Sequence, residues 1–366
     1  MATIYIPTPL RPYIDNNESV SVSGKTVGEA LRDLVTQHSS LENQLFSDGK
    51  LRIFFHVFLH EQDIRFLDEY DTLIEEDDVL RILPSIAGGA TFPLESFVET
   101  ENNIRLLPLG AVQELQQETG LSRREIEIAA LGAGVLPRRY LRSFGTVGIE
   151  GQVKLLNSTV AVIGLGGLGG GVVEGLARMG VGRIIVVDGD TFIDHNFNRQ
   201  LLSKELAVGQ SKTEAAKARV AEINAAVEVI AYTVYLSQEN LTEILTGVDV
   251  VVDALDRLPT RLMLQEGVQR LGIPLVHGAI AGYMGQVMTI FPEDLGLYAF
   301  YGDGDVPAQG AEAELGCPAA TPMMVSAWQL QEVLKILLET GELLRGRMLF
   351  MDAESGAVNI LKIGPG

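Results

Sequence analysis

The chain has 366 residues, 46% of them apolar and 21% charged, a length that at about 150 residues per domain predicts two domains and a large core. Its 28 Lys/Arg face 48 Asp/Glu, a net charge of −20 that excludes nucleic acid or an anionic membrane as the main partner, because both are bound through Lys/Arg surfaces. The one cysteine, Cys317, excludes an intrachain disulfide and a thiolate-rich metal cage, and it predicts a reducing, cytoplasmic setting.

Residues 1–6 lack a basic region and a long apolar run, so no targeting segment is expected. Residues 2–6 alternate like a strand, 19–23 form a short β-rich run, and a Pro/Asn-rich turn lies between them. Val27, Ala30, Leu31, Leu34 and Leu41 give near-helical spacing over 26–41. Residues 52–59 and 79–84 read as strands again. The order β-β-α-β-β predicts one helix packed on a mixed sheet over residues 1–90. This unit is acidic, with 15 Asp/Glu against 7 Lys/Arg, and it ends in Ser85-Ile86-Ala87-Gly88-Gly89-Ala90. His56 and His60 share a face of its third strand. No carboxylate or cysteine set accompanies them, so a zinc site is not expected there.

Residues 91–121 show weak periodicity and mixed polarity, and read as a linker with some local structure. Ser122-x-x-Glu125 has the form of a capping box and starts a helix. An arginine patch follows at Arg138, Arg139 and Arg142. From 158 onward strands alternate with helices. Strands are predicted at 159–163, 183–187, 248–252 and 274–277, and helices from the end of the glycine loop at Gly169 through about Met179, at 211–225 and at 322–339. Two further strands are expected at 287–291 and 347–351. This alternation predicts an α/β fold with a Rossmann-like, doubly wound, mostly parallel sheet. The uncharged stretches 155–173 and 271–292 are broken by polar residues and glycines, and read as units of a soluble core rather than membrane spans.

Gly164-Leu-Gly166-Gly167-Leu-Gly169 follows the first of these strands and opens a helix, the context in which backbone N–H groups and a helix N-terminus receive phosphates. Asp188 closes the next strand, where a carboxylate can accept both ribose hydroxyls. The alternative role of such glycines is to pack a helix on a sheet with nothing bound. A nicotinamide cofactor is the default ligand for this fingerprint. Arg199, Lys212 and Asp256 tilt the reading to ATP, since two cations and a metal-binding carboxylate at successive strand ends suit nucleotidyl transfer. Taken singly, each of these is more often a solvated surface charge. His277 at a strand end reads as structural.

Residues 140–366 resemble the MoeB/ThiF/HesA family, the prokaryotic relatives of ubiquitin-activating enzymes. The likeness is carried by Arg139-Tyr140-x-Arg142, the glycine loop, Asp188-Gly-Asp190, Asn196-x-x-Arg199-Gln200, Gly209-Gln-Ser-Lys212 and Ala254-Leu-Asp256. Residues 1–89 resemble the β-grasp, ubiquitin-like sulfur carriers of the MoaD/ThiS type, the one used in cysteine biosynthesis most of all. They do so through Ile6-Pro-Thr-Pro-Leu-Arg-Pro12, 19–24, Asp63-Ile-Arg-Phe66 and the tail at 83–89. The resemblance divides the chain into a carrier domain at 1–90, a linker at 91–121 and an ATP-binding domain at 122–366.

The resemblance implies an adenylyltransferase. The domain binds MgATP, the carrier's terminal glycine carboxylate attacks the α-phosphate, pyrophosphate leaves, and a sulfur donor such as a cysteine desulfurase or rhodanese converts the adenylate to a thiocarboxylate. Carried onto this chain, Gly164, Gly166, Gly167 and Gly169 line the phosphates, and Asp188, with Asp190, holds the ribose. Asn196, Arg199, Gln200 and Lys212 complete the nucleotide site, and Asp256 holds magnesium. Arg142 matches an arginine that reaches into the partner's ATP site in a homodimer, which implies a two-fold dimer. Cys317 matches a cysteine that in some members bonds the carrier or receives sulfur. As a free cysteine it has the alternative of a small buried hydrophobe.

Three departures stand out. There are no Cys-x-x-Cys pairs, so no zinc is expected and the 296–316 loop is held by other means. Arg257 stands where the family usually has Asn, and Ser143 where many members have Gln. Gly89 is followed by Ala90 and carries no free carboxylate. Either a cellular protease cuts after Gly89, or the enzyme activates a separate carrier while residues 1–89 serve in docking. Cysteine, molybdopterin, thiamine thiazole and thiolated tRNA are the candidate sulfur acceptors, and the carrier likeness favours cysteine. The competing readings are a nicotinamide-dependent oxidoreductase and a non-catalytic scaffold that holds ATP and a β-grasp partner.

Overall fold

The computed structural model describes residues 2–14, 17–47, 50–51, 55–60, 62–75, 77–84, 94–302, 306–308 and 310–363. The Gly88-Gly89 tail and the first three residues of the strand expected at 52–59 lie outside these. Backbone contacts divide the chain into two units, Met1–Val98 with Gly132–Val135, and Glu99–Leu131 with Leu136–Gly366.

In the first unit β1 (Ala2–Tyr5), β2 (Ser19–Val22), α1 (Val27–Gln37), α2 (Glu42–Leu45), β3 (Phe46–Ser47), β4 (Lys50–Leu51), β5 (Phe55–Leu59), β6 (Gln62–Asp63) and β7 (Val79–Pro84) follow in order. The five-stranded sheet runs β2-β1-β7-β5-β6, with β1 and β7 parallel and the other pairs antiparallel. The α1 helix starts where Thr26 accepts the Glu29 N–H while the Glu29 carboxylate accepts the Lys25 N–H, so two orphan donors are satisfied together. Its Val27, Ala30, Leu31 and Leu34 join Ile4, Val22, Val57, Leu80 and Ile82 in one core. A mixed sheet with one helix laid across it is the β-grasp arrangement expected. His60 pairs with Asp78 at 2.9 Å.

The local structure expected in the 91–121 linker is extensive among its described residues, 94–121. It holds β8 (Glu99–Glu101), β9 (Ile104–Leu107) and the three-turn helix α3 (Leu109–Thr119). The α4 helix (Arg123–Gly132) is capped by Ser122 as its sequence predicts. Ser122 Oγ accepts the Glu125 N–H at 3.2 Å and the Glu125 carboxylate accepts the Ser122 N–H at 2.9 Å. Then come β10 (Leu136–Pro137), which pairs with β9, and α5 (Phe144–Asn157). Polar residues at most α3 positions hide its apolar stripe of Ala111, Val112 and Leu115 from a reading of composition.

The second unit continues through β11 (Thr159–Ile163), α6 (Gly167–Met179), β12 (Arg183–Val187), α7 (Lys212–Ile223), β13 (Glu228–Tyr232), α8 (Gln238–Leu245), β14 (Val250–Asp253), α9 (Leu258–Leu271), β15 (Leu275–Ala281) and β16 (Met284–Ile290). After α10 (Tyr298–Tyr301) and α11 (Glu312–Leu315) it ends with α12 (Ala320–Leu338), β17 (Arg347–Asp352) and β18 (Ala357–Lys362). The sheet order is β13-β12-β11-β14-β15-β16-β17-β18. Its first five strands are parallel, and β16–β18 add antiparallel. Along β11, Val160 and Val162 enter one core with α6, α7 and α12, while Ala161 and Ile163 enter another with α8 and α9. A strand buried on both faces reads as an unbroken apolar run, which is why this one was legible. The chain winds outward from β11 in both directions, so the glycine loop lies at the switch point where open α/β sheets bind ligands.

Packing of α6 depends on glycines beyond the phosphate fingerprint. Gly167, Gly171 and Gly175, four residues apart, face Pro322, Ser326 and Leu330 of α12, also four apart. A Cβ at Gly171 would meet the Ser326 hydroxyl at 2.4 Å, and one at Gly175 would meet Leu330 at 2.2 Å. The two backbones therefore approach closely. On its sheet side α12 puts Gln329 over Gly278 and Val325 over Gly285. No helix among the described residues is long and apolar enough to cross a membrane.

Candidate active site

The glycine loop is tied down by its neighbours. Gly164 takes φ +92, in the left-handed region that favours glycine, and donates to the Val187 carbonyl at 2.9 Å. A Cβ on Gly169 would stand 1.8 Å from the Gly164 carbonyl oxygen, so only glycine closes this turn. No side chain caps the first turn of α6, which leaves its N–H groups for an anion. Gln200, buried beside Gly166, has an Oε1 with no hydrogen-bond partner.

Asp188 sits at the end of β12 with its carboxylate turned into the loops. One oxygen accepts the Leu165 N–H at 2.7 Å and the other the Asp190 N–H at 2.8 Å. Burial pushes its pKa up, against Lys212 and the two amides. Lys212, the first residue of α7, is buried, and its ammonium lies 2.9 Å from Asp190 and 3.7 Å from Asp188. Asp190 also accepts the Tyr235 hydroxyl at 2.6 Å. Burial would raise the Asp190 pKa, but the Tyr235 hydroxyl and Lys212 outweigh it and hold it below the usual carboxylate range. The Tyr235 ring covers Gly189, where a Cβ would come within 2.8 Å. Nothing in the local sequence signals Tyr235, because it meets the site across a strand crossing.

Arg199 lies in the loop after β12, with its aliphatic stem against Gly167 and Nη1 donating to the His195 carbonyl at 2.9 Å and to Asn198 at 2.8 Å. Asn196 is buried and its Oδ1 accepts the Ile193 N–H at 3.1 Å, a local capping task rather than an open contact. Asp256 stands exposed three residues beyond β14. Arg199 and Asp256 both act electrostatically on Cys317, so these three groups share one neighbourhood. Burial pushes the Cys317 thiol up, Arg199 opposes it, and Glu312 and Asp256 add to it. The Cys317 carbonyl accepts from Asn198 at 3.0 Å, and a groove of about 570 Å³ opens beside it, lined among others by Tyr283, Met284 and Leu315.

The arginine patch divides. Arg138 pairs with Glu99, and Arg139 pairs with buried Glu127 at 3.2 Å and with Asn224. Tyr140 donates to Glu127 at 2.8 Å and accepts from Asn224 at 3.1 Å. These three residues therefore build the scaffold, and Arg142 is left exposed. His277 is buried at the strand end beside Asp253 and Arg261, a grouping that was not legible in the sequence.

The site suits ATP. Free helix N–H groups, the cations Lys212 and Arg199 and the Asp188 carboxylate gather where the β11 and β12 strands end. Magnesium fits as well, since it takes one or two carboxylates with substrate phosphates and waters rather than a full protein cage. Asp256 supplies such a carboxylate, and among the described residues no three His, Cys, Asp or Glu side chains gather as a metal cage.

Residues 138–365 match the ThiF family model, and residues 4–89 match the ThiS family model. The "SAMP-activating enzyme E1" of Haloferax volcanii is 40% identical over 208 residues, 57% of this chain and 77% of that protein. The "Sulfur carrier protein adenylyltransferase" of Thermus thermophilus is 39% identical over 214 residues, 57% of this chain and 79% of that one. The "Adenylyltransferase and sulfurtransferase MOCS3-1" of Zea mays is 37% identical over 218 residues, which make up 59% of this chain, and the match spans only 47% of the maize protein. Among solved structures, E. coli MccB with ATP aligns with a TM-score of 0.54 at 22% identity, over 62% of this chain and 72% of that one, and shows the same fold.

Proposed function

This chain belongs to the ThiF family, and from that premise we propose that it adenylylates the C-terminal glycine of a ubiquitin-like sulfur carrier at the expense of ATP. The observation that carries the reading is the convergence of Lys212, Asp188 and Asp190 at the end of β12 facing the glycine loop, with the Arg199 stem packed on Gly167 of that loop.

The N–H groups at the start of α6 receive the phosphates. Asp188 and Asp190 hold the ribose. Lys212 and Arg199 face the phosphates and offset the charge that develops as the carrier carboxylate attacks and pyrophosphate leaves. Lys212 is already desolvated, so its charge acts in a medium of low polarity. Asp256 holds magnesium, which when bound neutralises phosphate charge. Gln200 borders the loop at Gly166, and Asn196 holds the turn that precedes Arg199. Arg142 serves the site of a second subunit, in a homodimer.

Thiocarboxylate formation for sulfur-transfer biosynthesis follows: the terminal sulfur of an external donor persulfide attacks the acyl-adenylate and displaces AMP, and the Cys317 thiol then cleaves the resulting acyl disulfide, releasing the thiocarboxylate and leaving a disulfide between Cys317 and the donor. The carrier is either the ThiS-like segment released after Gly89 or a separate protein. The described residues between 2 and 84 supply a folded β-grasp body for either role.

ATP–pyrophosphate exchange with a carrier fragment ending at Gly89 tests the reading. Exchange that is lost in Asp256→Ala supports it, whereas nucleotide binding without exchange points to a scaffold. Preference for NADH over ATP would replace the reading with an oxidoreductase. Mass spectrometry of the native protein decides processing, since only intact chain under sulfur demand refutes cleavage after Gly89.

A further inference from the structure

Behind the loop that carries Asp256 lies a buried polar cluster that the proposed chemistry does not use. Asp253 ends β14, and His277 is its parallel partner in register on β15. Both side chains are fully shielded, at 0% and 1% exposure, and Arg261, in the first turns of α9, is also buried. His277 Nδ1–H donates to Asp253 Oδ2 at 2.7 Å, and the Arg261 guanidinium lies 3.9 Å from the same oxygen. Gln286 of β16 donates to His277 Nε2 at 3.2 Å, which assigns the proton to Nδ1.

The cluster grips the catalytic loop at several points. Asp253 Oδ1 accepts the Leu255 N–H at 3.0 Å, and Arg261 donates to the Leu255 carbonyl. The residue immediately before Asp256 is thus held by both its backbone groups. Ala254 donates to the Ile163 carbonyl at 3.0 Å, and its own carbonyl presses on Gly164, where a Cβ would come within 2.6 Å. Gln329 of α12 reaches through the space left by Gly278 to donate to the Asp253 carbonyl at 2.8 Å. Burying two ionised groups and an imidazole costs desolvation that a well-packed apolar cluster would avoid. What the polar cluster provides is a fixed distance between the Asp256 loop and the first glycine of the phosphate loop.

We propose that His277 and Arg261 are positioning residues: through Asp253 and the Leu255 peptide they set where the Asp256 carboxylate stands relative to the glycine loop. The proposal rests on the MgATP reading above. The test compares His277→Leu, which removes the donor, with His277→Asn, which keeps a donor near the Nδ1 position. Amide hydrogen exchange of the 254–257 segment in the nucleotide-free protein gives a readout independent of activity. The magnesium concentration for half-maximal pyrophosphate exchange and the KM for ATP give the second.

His277→Leu is expected to speed exchange at Leu255 and to raise the magnesium requirement roughly ten- to hundredfold, with KM for ATP within about threefold. His277→Asn is expected to restore both. Unchanged exchange at Leu255 in His277→Leu overturns the proposal. So does faster exchange spread over the whole second unit without rescue by Asn, which marks a purely structural role. The amide-exchange readout needs no nucleotide, so it decides the positioning claim even if the wild type fails to exchange pyrophosphate, an outcome that instead overturns the activity reading.

Discussion

Lys212→Met separates what this lysine does for the fold from what it does for catalysis. Its side chain is 8% exposed, and its ammonium lies 2.9 Å from Asp190 and 3.7 Å from Asp188. At an effective dielectric of about 20 each contact is worth about 4–6 kcal/mol before desolvation, which cancels most of it. Asp190 is half exposed, so its pairing with Lys212 discounts to about 1 kcal/mol. Asp188 is as buried as the lysine, and losing the cation leaves it only the Leu165 and Asp190 amides, at a further cost of about 1–2 kcal/mol. The expected total for Lys212→Met is about 2–3 kcal/mol. Trp328, the only tryptophan, lies in α12 of the second unit, so urea unfolding followed by its fluorescence reports this unit. A cycle of Lys212→Met, Asp190→Asn and the double variant should give a coupling near 1 kcal/mol. Pyrophosphate exchange by Lys212→Met should fall about 10²–10³-fold. A coupling below about 0.3 kcal/mol refutes the ion-pair argument, and exchange within about threefold of wild type refutes the catalytic one.

Acid should weaken the second unit. Burial, outweighing the Asp253 carboxylate, holds the His277 pKa below its ordinary value of about 6.5, so below that pH the unfolded chain binds a proton the folded one does not, and stability falls. Asp253 is held low because Arg261, His277 and the Leu255 amide outweigh its burial, so its contribution, present above its ordinary 3.8, is lost as the pH drops below that value. The urea midpoint should drop between pH 7.5 and 5.5 in the wild type and drop less in His277→Asn, and equal drops would contradict this origin. Alkylation of Cys317 by iodoacetamide should rise with a midpoint above that of an ordinary thiol, and Arg199→Ala should move it higher still. A midpoint at or below the ordinary one would show a thiol activated in some other way. Gly175→Val should destabilise the second unit by about 1–3 kcal/mol through collision with Leu330. A neutral result would mean that α12 retreats freely from α6.

Much of the fold was written locally. The buried run of β11, the glycine loop, the Ser122–Glu125 cap and the start of α7 at Ser211 each depend on contiguous residues, and each stands where the pattern predicts. The elements that were missed have weak local signals. Glu228–Tyr232 is half exposed at the sheet edge, and β18 is exposed along its whole length, so neither shows a clear alternation. The α9 helix buries Arg261 and Gln265 among its apolar positions, which blurs its stripe. The 99–119 segment gains its structure from pairing β9 with β8 and with β10, about thirty residues downstream.

The sequence by itself determined that a glycine loop follows β11, that Asp188 closes β12 with Arg199 and Lys212 after it, and that Asp256 follows β14, because composition at a strand end is a local property. Only the tertiary structure decided which charges face which. It set Lys212 between Asp188 and Asp190, gave Arg138 and Arg139 to the scaffold while leaving Arg142 exposed, and joined His277 and Arg261 to Asp253 behind the Asp256 loop. Those pairings join residues up to dozens of positions apart through the burial that the sheet and helices create, and no local spacing encodes them.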